Sequence, residues 1–322
     1  AALYAISETV HAASDLCALD PQIHRIIHEL LPAHGFTIAL FDAAHEHLDF
    51  PYHVHGMKDA TASSEGAHRT LCEHVIRIGR PLLLKPTSPA ELPDSLREAA
   101  AHVAPCWLGL PLASGNGVIG ALAVMEANGS PCYTERDQEL LQFVSTQIAT
   151  AIERKRLHSQ LRHMAQHDAL TGLPNRTLLL DRLDTALARA RRNNHGFSLL
   201  YVDLDKFKPI NDLHGHETGD KLLQEVARRI GHCVRDTDTV ARLGGDEFVV
   251  LLDRACLRGD AELVAAKIRA ELCGPMRVRD LMLSITPSIG IAIYPEHGVN
   301  AQQLLKRADD AMYQMKKSQR SD

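Results

Sequence analysis

The sequence predicts a two-domain protein of the mixed α/β class, an α+β arrangement in which an antiparallel-sheet domain is joined by one long helix to a domain of alternating strands and helices. Three observations carry this expectation. The 322 residues exceed the roughly 250 beyond which a single core stops growing. Short β-rich runs in the first 130 residues are bounded by Gly and Asn turns. Between Pro131 and Gly172 there is neither Pro nor Gly, the residues that most readily interrupt a helix.

Taken in order, Leu3 to Leu16 and Gln22 to Leu31 have helical apolar spacing, and Phe36 to Phe41 is a short strand bounded by Gly35 and Asp42. A helix near Ala67 to Ile78 precedes strand-like runs at Pro81 to Lys85, Cys106 to Leu112 and Val118 to Met125, the last two joined by the turn Ser114-Gly115-Asn116-Gly117. Residues 1–133 therefore form the first domain. Thr134 and Asp137 make a capping-box-like start for the helix of residues 134–166. Leu141, Val144, Ile148 and Ala151 follow 3-4-3 spacing; the phase slips across Glu153-Arg154-Lys155-Arg156, and Leu157, Leu161 and Met164 resume it. This pattern predicts a coiled coil with a second copy of the chain, the alternative being an amphipathic helix packed on its own domain. In residues 167–322, strands are expected at Phe197 to Val202, Phe248 to Leu252 and Ser284 to Ile293. Helices are expected at Gly219 to Cys233, Ala261 to Leu272 and Ala301 to Lys317.

Composition narrows the function. With 45% hydrophobic and 23% charged residues the chain is too apolar to be disordered. A net charge of −5 argues against a partner that is a nucleic acid polymer. The average conceals a split, since residues 1–150 carry 8 basic and 17 acidic side chains and residues 151–322 carry 27 and 23. The seven cysteines are odd in number, scattered and without C-x-x-C spacing, and read as reduced thiols in a cytoplasmic protein. No apolar run reaches the roughly 18 residues of a membrane span, and Ala1-Ala2-Leu3 is neither an initiator Met nor a basic signal-peptide start. The chain thus reads as a processed form or a fragment, which leaves room for an upstream membrane or sensor segment.

The chemistry concentrates in the second domain. Phe197 to Val202 runs into Asp203-Leu204-Asp205, and Phe248 to Leu252 is preceded by Arg242-Leu243-Gly244-Gly245-Asp246-Glu247. Carboxylates at the ends of apolar strands are costly unless paired or metal-bound. Four of them on two strands call for hard oxygen coordination of Mg²⁺ or Mn²⁺ rather than zinc. The Gly-Gly turn, lacking Cβ atoms, lets a phosphate or base approach the backbone.

Arg242-Leu-Gly-Gly-Asp-Glu-Phe248 resembles the signature of the GGDEF family, the diguanylate cyclases. The resemblance extends to Asp168-Ala-Leu-Thr-Gly-Leu-Pro-Asn-Arg176, Asp203-Leu-Asp-Lys-Phe-Lys208, Asn211-Asp-x-x-Gly-His-x-x-Gly-Asp220, Ser288-Ile-Gly290 and Ala308-Asp-x-Ala-Met-Tyr313. It implies a palm-like nucleotidyl-cyclase fold and condensation of two GTP into cyclic di-GMP and two pyrophosphates. It further implies two Mg²⁺ or Mn²⁺ per active site, held by Asp203, the Leu204 carbonyl and Asp246. Asp246 would also act as base on the ribose 3′-OH, Glu247 would be required, and Asp205 would be a weaker ligand. Lys208 would meet phosphate, Asn211 and Asp220 would read guanine, His216 would lie beside the nucleotide with Gly244 and Gly245, and Lys316 and Arg320 would face the phosphates. The family's Gly-Arg-Asn is here Gln319-Arg320-Ser321. Arg235-x-x-Asp238, five residues before the Gly-Gly pair, resembles the family's inhibitory product site.

The first domain resembles a GAF sensor module through its element order and the stretches Gly79-Arg-Pro-Leu-Leu-Leu84 and Gly117-x-x-Gly-Ala-Leu-Ala-Val124, which implies an unidentified small-molecule ligand. It holds 11 of the 19 histidines, including His45-x-His47 and His53-x-His55, for which an ordinary surface is the simpler account. Cys72-x-His74 is not the adjacent Cys-His of bilin-binding relatives. The expected activity is that of a homodimeric diguanylate cyclase under sensory and product control. The competing expectations are a catalytically silent receptor for cyclic di-GMP or GTP, and a sensor whose cyclase output is secondary.

Overall fold

A computed structural model describes residues 28, 31, 33, 35–42, 47–54, 62–86, 92–103, 106–115, 117–126, 132–253 and 257–318. The chain divides into two compact units, Ala1–Ser159 and Gln160–Asp322. The expected helix from Leu3 to Leu16 and nearly all of that from Gln22 to Leu31 lie outside the described residues, as do His45, His55 and Arg320.

In the first unit, strands β1 (Gly35–Asp42), β2 (His47–Val54), β3 (Leu82–Leu84), β4 (Cys106–Ser114) and β5 (Gly117–Glu126) form an antiparallel sheet in the order β2-β1-β5-β4-β3. Helices α1 (Ala62–Ile78) and α2 (Asp94–Ala101) bury Leu71, Val75 and Leu96 on one face, with Trp107 and Met125 of the sheet. Helix α3 (Glu135–Gln166) covers the other with Leu141, Val144, Ile148 and Ile152. Thr134 and Asp137 do form the reciprocal cap: the Thr134 N–H donates to Asp137 Oδ2 at 2.8 Å and the Asp137 N–H to Thr134 Oγ1 at 3.3 Å. Past Ile152 the apolar stripe changes character, and Leu157, Leu161 and Met164 are exposed. Strand β2 and helix α2 have no counterpart among the expected elements, because both are rich in polar and small residues.

One expectation about this unit is corrected. Cys106 and Cys132, Cα atoms 5.3 Å apart, form a disulfide, whereas Cys72, Cys233 and Cys273 are free. Spacing of 26 residues carries no local signal; the fold brings the start of β4 beside the segment that leads into α3.

In the second unit, β6 (Phe197–Leu204), β7 (Thr239–Gly244), β8 (Glu247–Leu252) and β11 (Pro287–Tyr294) form an antiparallel sheet in the order β11-β6-β8-β7. Helices α6 (His216–Cys233) and α7 (Arg258–Cys273) fill one side with Leu222, Val226, Ile230, Ile268 and Leu272. Helices α4 (Arg176–Asn193) and α8 (Ala301–Ser318) fill the other with Leu179, Leu183, Leu304 and Met312. Asn175 caps α4 by accepting from the N–H groups of Thr177 and Leu178. A short helix α5 (Phe207–His214) follows β6, and β9 (Met276–Val278) and β10 (Leu281–Leu283) make a separate hairpin. With both faces covered, every residue of β6 is buried. That burial explains why this strand reads as a mostly apolar run until its penultimate residue, Asp203.

Candidate active site

The site is built where the central strands β6 and β8 open. Asp203, the penultimate residue of β6, stands directly opposite Glu247, the first of β8. Between β7 and β8 the chain turns through Gly244 and Gly245. Gly245 lies at φ +51°, and a Cβ added at either glycine would meet nothing within 4 Å. The turn is therefore open to a ligand and conformationally suited to glycine. The Leu204 N–H donates to the Asp246 carbonyl at 3.3 Å, tying the end of β6 to this turn.

Burial, reinforced by the charge of Asp203, pushes the Asp246 carboxyl above the ordinary carboxylate range. Glu247 accepts a 3.0 Å hydrogen bond from the Tyr201 hydroxyl, and burial together with Glu247 raises the phenol above its usual value. The Lys316 ammonium sits on Asp203 Oδ1. These carboxylates thus already draw in a cation. Asp205 turns elsewhere: its carboxylate accepts from the Ser288 hydroxyl at 2.9 and 3.0 Å, a local structural bond between β6 and β11.

This donor set fits a hard divalent cation. Asp203 and Asp246 offer carboxylate oxygens, and among the described residues their negative charge is answered by Lys316 and, more weakly, by Arg242; the Leu204 carbonyl at the end of the same strand is a further oxygen donor of the expected kind. Magnesium commonly binds through one or two carboxylates and completes its shell with water and substrate phosphates. No cluster of three or more His, Cys, Asp or Glu side chains with metal-holding geometry occurs among the described residues.

The remaining expected residues fall into three places. Lys208 is exposed on α5. Asn211, on the same helix, has its Oδ1 buried with no hydrogen-bond partner and presses against Gly219 of α6, where a Cβ would come within 1.7 Å of that oxygen. His216 and Asp220, in the opening turns of α6, are exposed. Arg235 and Asp238 lie on the turn before β7. The Asp238 carboxylate accepts from the Arg235 N–H at 3.0 Å and the Asp253 N–H at 3.1 Å, so both of its oxygens hold backbone.

Four residues escaped sequence reasoning. Tyr201 precedes Asp203 by two and so shares its face of the strand, a signal that period-2 counting could have supplied. Asp309 of α8 is close enough to the cluster that its carboxyl is raised by burial, then by Asp310 and Asp203. Arg242 donates to the Gly245 carbonyl through Nε at 3.1 Å and Nη2 at 2.8 Å, and through Nη1 to Asp168 Oδ1 at 2.8 Å. Burial alone would raise the Asp168 carboxyl, but hydrogen bonds from Thr171 and Arg242 hold it below the ordinary range.

A four-stranded antiparallel sheet whose central strands present carboxylates beside a Gly-Gly turn defines a palm-like domain of the nucleotidyl-cyclase class. Residues 165–322 match the family described as diguanylate cyclase, GGDEF domain, and residues 14–153 match the GAF domain. The crystal structure of the coiled coil and GGDEF domain of DgcB from Caulobacter crescentus, in complex with c-di-GMP, superimposes with a TM-score of 0.50 at 30% identity. The match covers 57% of this chain and 96% of that one. The chain therefore belongs to the GGDEF family, with a GAF domain ahead of it. Among curated proteins it is 46% identical over 169 residues to the bifunctional diguanylate cyclase/cyclic di-GMP phosphodiesterase MucR of Pseudomonas aeruginosa. It is 44% identical over 164 residues to the diguanylate cyclase TpbB of the same species. These matches cover 52% and 51% of the chain but only 24% and 38% of the relatives' lengths.

Proposed function

We propose that the chain is a diguanylate cyclase that joins two GTP molecules into cyclic di-GMP with release of two pyrophosphates. The observation that carries this reading is the convergence of Asp203, Asp246 and Lys316 at an open Gly244-Gly245 turn, within a domain of the GGDEF family. Asp203, the Leu204 carbonyl and Asp246 would hold two Mg²⁺ or Mn²⁺ ions, which supply Lewis-acid polarisation of the α-phosphate and charge neutralisation. The raised Asp246 carboxyl is a better proton acceptor than an ordinary aspartate, which suits it to take the ribose 3′-OH proton as that oxygen attacks the α-phosphorus of the other GTP. Pyrophosphate leaves, and a second such displacement closes the ring. Glu247, oriented by Tyr201, adds negative charge at the same edge.

Asn211 and Asp220 would read guanine: a carboxylate accepts from the N1–H and N2–H₂ edge that adenine lacks. Lys208, Lys316 and Arg320 would meet phosphate, and Lys316, now paired with Asp203, would turn to the nucleotide's phosphates when Asp203 serves as a metal ligand. His216 would border the nucleotide. One domain offers one such half-site, so turnover requires a second copy. The exposed Leu157, Leu161 and Met164 of α3 support pairing through a parallel coiled coil. The exposed Arg235 on the Asp238-bound turn supports product feedback at a separate site, and the GAF domain would sense a small molecule. No helix among the described residues is long and apolar enough to cross a membrane; a cytoplasmic location is part of this reading.

The test is incubation with GTP and Mg²⁺ followed by nucleotide chromatography. Asp246→Ala should lower cyclic di-GMP formation about 10³-fold or more while the chain stays folded. Undiminished synthesis by that variant would overturn the metal assignment. Retention of product inhibition in Arg235→Ala would overturn the feedback assignment.

A further inference from the structure

The last turn of α3 and the turn that carries Asp246 are joined, within the second unit, by an unbroken chain of short hydrogen bonds, and Arg242 is its central link. The Asn175 N–H donates to the Gln166 carbonyl at 2.9 Å, and Asn175 Nδ2 donates to the Ala165 carbonyl at 2.7 Å. His167 bridges to Pro174. The loop between them is closed by the Asp168 N–H on the Leu173 carbonyl at 2.8 Å and the Gly172 N–H on the Asp168 carbonyl at 2.9 Å. Arg242 grips that loop twice, with its N–H on the Pro174 carbonyl at 2.9 Å and its Nη1 on Asp168 Oδ1. The other two arms of the guanidinium hold the Gly245 carbonyl, the peptide immediately before Asp246.

Three features make this more than a surface ion pair. The Arg242–Asp168 pair is largely buried, its side chains only 10% and 21% exposed. Each of the three guanidinium nitrogens donates, and these donors are divided between two separate segments in a planar fork that an ammonium cannot reproduce. Gly244 and Gly245 have no side-chain packing of their own to fix the turn, so the position of Asp246 rests on hydrogen bonds from outside it, two short ones from Arg242 to the Gly245 carbonyl and a longer one, 3.3 Å, from the Leu204 N–H to the Asp246 carbonyl. We infer that Arg242 is a positioning residue that sets the Asp246 turn for metal and couples it to the end of α3, so that a displacement of the helix end changes the metal site. Asp168 is the anchor of this relay and Thr171, which donates to Asp168 Oδ1 from both N–H (2.9 Å) and Oγ1 (2.6 Å), its support. The inference rests on the reading that Asp246 is a metal ligand of a GTP-condensing site.

The experiment uses the full chain, with Mn²⁺ and a non-hydrolysable GTP analogue as probes, and four variants: Arg242→Lys, Asp168→Asn, their combination, and Asp246→Ala. Arg242→Lys and Asp168→Asn should each weaken Mn²⁺ binding about tenfold and lower kcat about tenfold, with KM for GTP within about twofold, because the guanine-reading residues are untouched. The double variant should be no worse than either single one, since one relay can be broken only once. Coupling is reciprocal. Loading the wild-type site should therefore slow hydrogen exchange at the amides of Asp168, Gly172 and Asn175, and this protection should vanish in Arg242→Lys. Should Arg242→Lys fail to fold, Asp168→Asn carries the same measurements. Loss of Mn²⁺ binding in Asp246→Ala with wild-type binding in the other variants would overturn the relay alone. Wild-type Mn²⁺ binding in Asp246→Ala would overturn the metal assignment and the relay with it. Additive losses, or unchanged exchange in the loaded wild type, would reduce Arg242 to a stability role and overturn the coupling.

Discussion

The five-stranded sheet of the first unit and the four-stranded sheet of the second are both antiparallel and both covered by helices on two faces, yet they treat polar side chains differently. In the first, Glu126 at the end of β5 is fully buried beside the core, and the Tyr133 phenol is raised by its own burial and then by that charge. That carboxyl is enclosed in the interior, away from any opening of the sheet. In the second, Asp246 and Glu247 lie at the open end of the central strands, half-buried, with a glycine turn in front of them. The Asp246 charge is desolvated enough to be costly and exposed enough to be relieved by a cation. Shared layer architecture therefore says little about activity; the partial burial of like charges at one strand end says much.

The same substitution in both units tests this difference most strongly. Gly219→Ala places a methyl 1.7 Å from Asn211 Oδ1, which must displace the expected guanine reader. We expect kcat/KM for GTP to fall about 10² to 10³-fold, with stability little changed because Ala also favours the helix by up to about 1 kcal/mol. Gly66→Ala in α1 meets nothing within 4 Å; it should stabilise its unit by about 0.5–1 kcal/mol and leave kcat/KM within twofold. Steady-state kinetics and thermal melts of both variants decide the matter, and equal kinetic losses would erase the contrast.

A second test is confined to the first unit. Breaking the Cys106–Cys132 link with Cys132→Ser should cost that unit about 3 kcal/mol through the freed 26-residue loop, and reductant should abolish the difference from wild type. Denaturant unfolding with and without reductant measures it. A matching loss in the unfolding of residues 160–322 would show that the two units do not unfold independently.

The legible parts of the molecule are those where burial leaves a pattern. Strand β6 is buried throughout, and its apolar run ending in Asp203 announced both the strand and the start of the site. Helix α3 announced itself by forty residues without Gly or Pro and by the Thr134–Asp137 cap. What escaped is what depends on long-range placement. Arg242 and Asp168 are 74 residues apart, Lys316 and Asp203 113 apart, and the two bridged cysteines 26 apart; no local spacing encodes such pairs. Helices α4 and α5 were missed for a different reason. Arg176–Asn193 is crowded with charge, and Phe207–His214 contains a Pro that a helix tolerates only in its first turn.

The smallest effect isolates the electrostatic part of the contrast. Burial and Asp203 raise the Asp246 carboxyl, so in the metal-free protein its ionised form destabilises the fold. A group whose folded pKa lies above its unfolded value contributes fully below the unfolded value and loses that contribution as pH rises through the folded one. Asp246→Asn mimics the protonated state. It should therefore raise the Tm of the metal-free chain by roughly 1–2 °C at neutral pH, a small shift because the side chain is only half-buried and water screens it. The gain should shrink as the pH is lowered through the raised pKa of the wild-type carboxyl and disappear below about 4, where ordinary carboxylates are protonated as well. Adding Mn²⁺ should reverse the order at neutral pH, because binding to the folded wild type alone stabilises it by mass action. Calorimetric melts across that pH range, with and without Mn²⁺, supply the comparison. A pH-independent difference between the two proteins would mean that the repulsion between Asp246 and Asp203 is not what makes this strand end receptive to a cation.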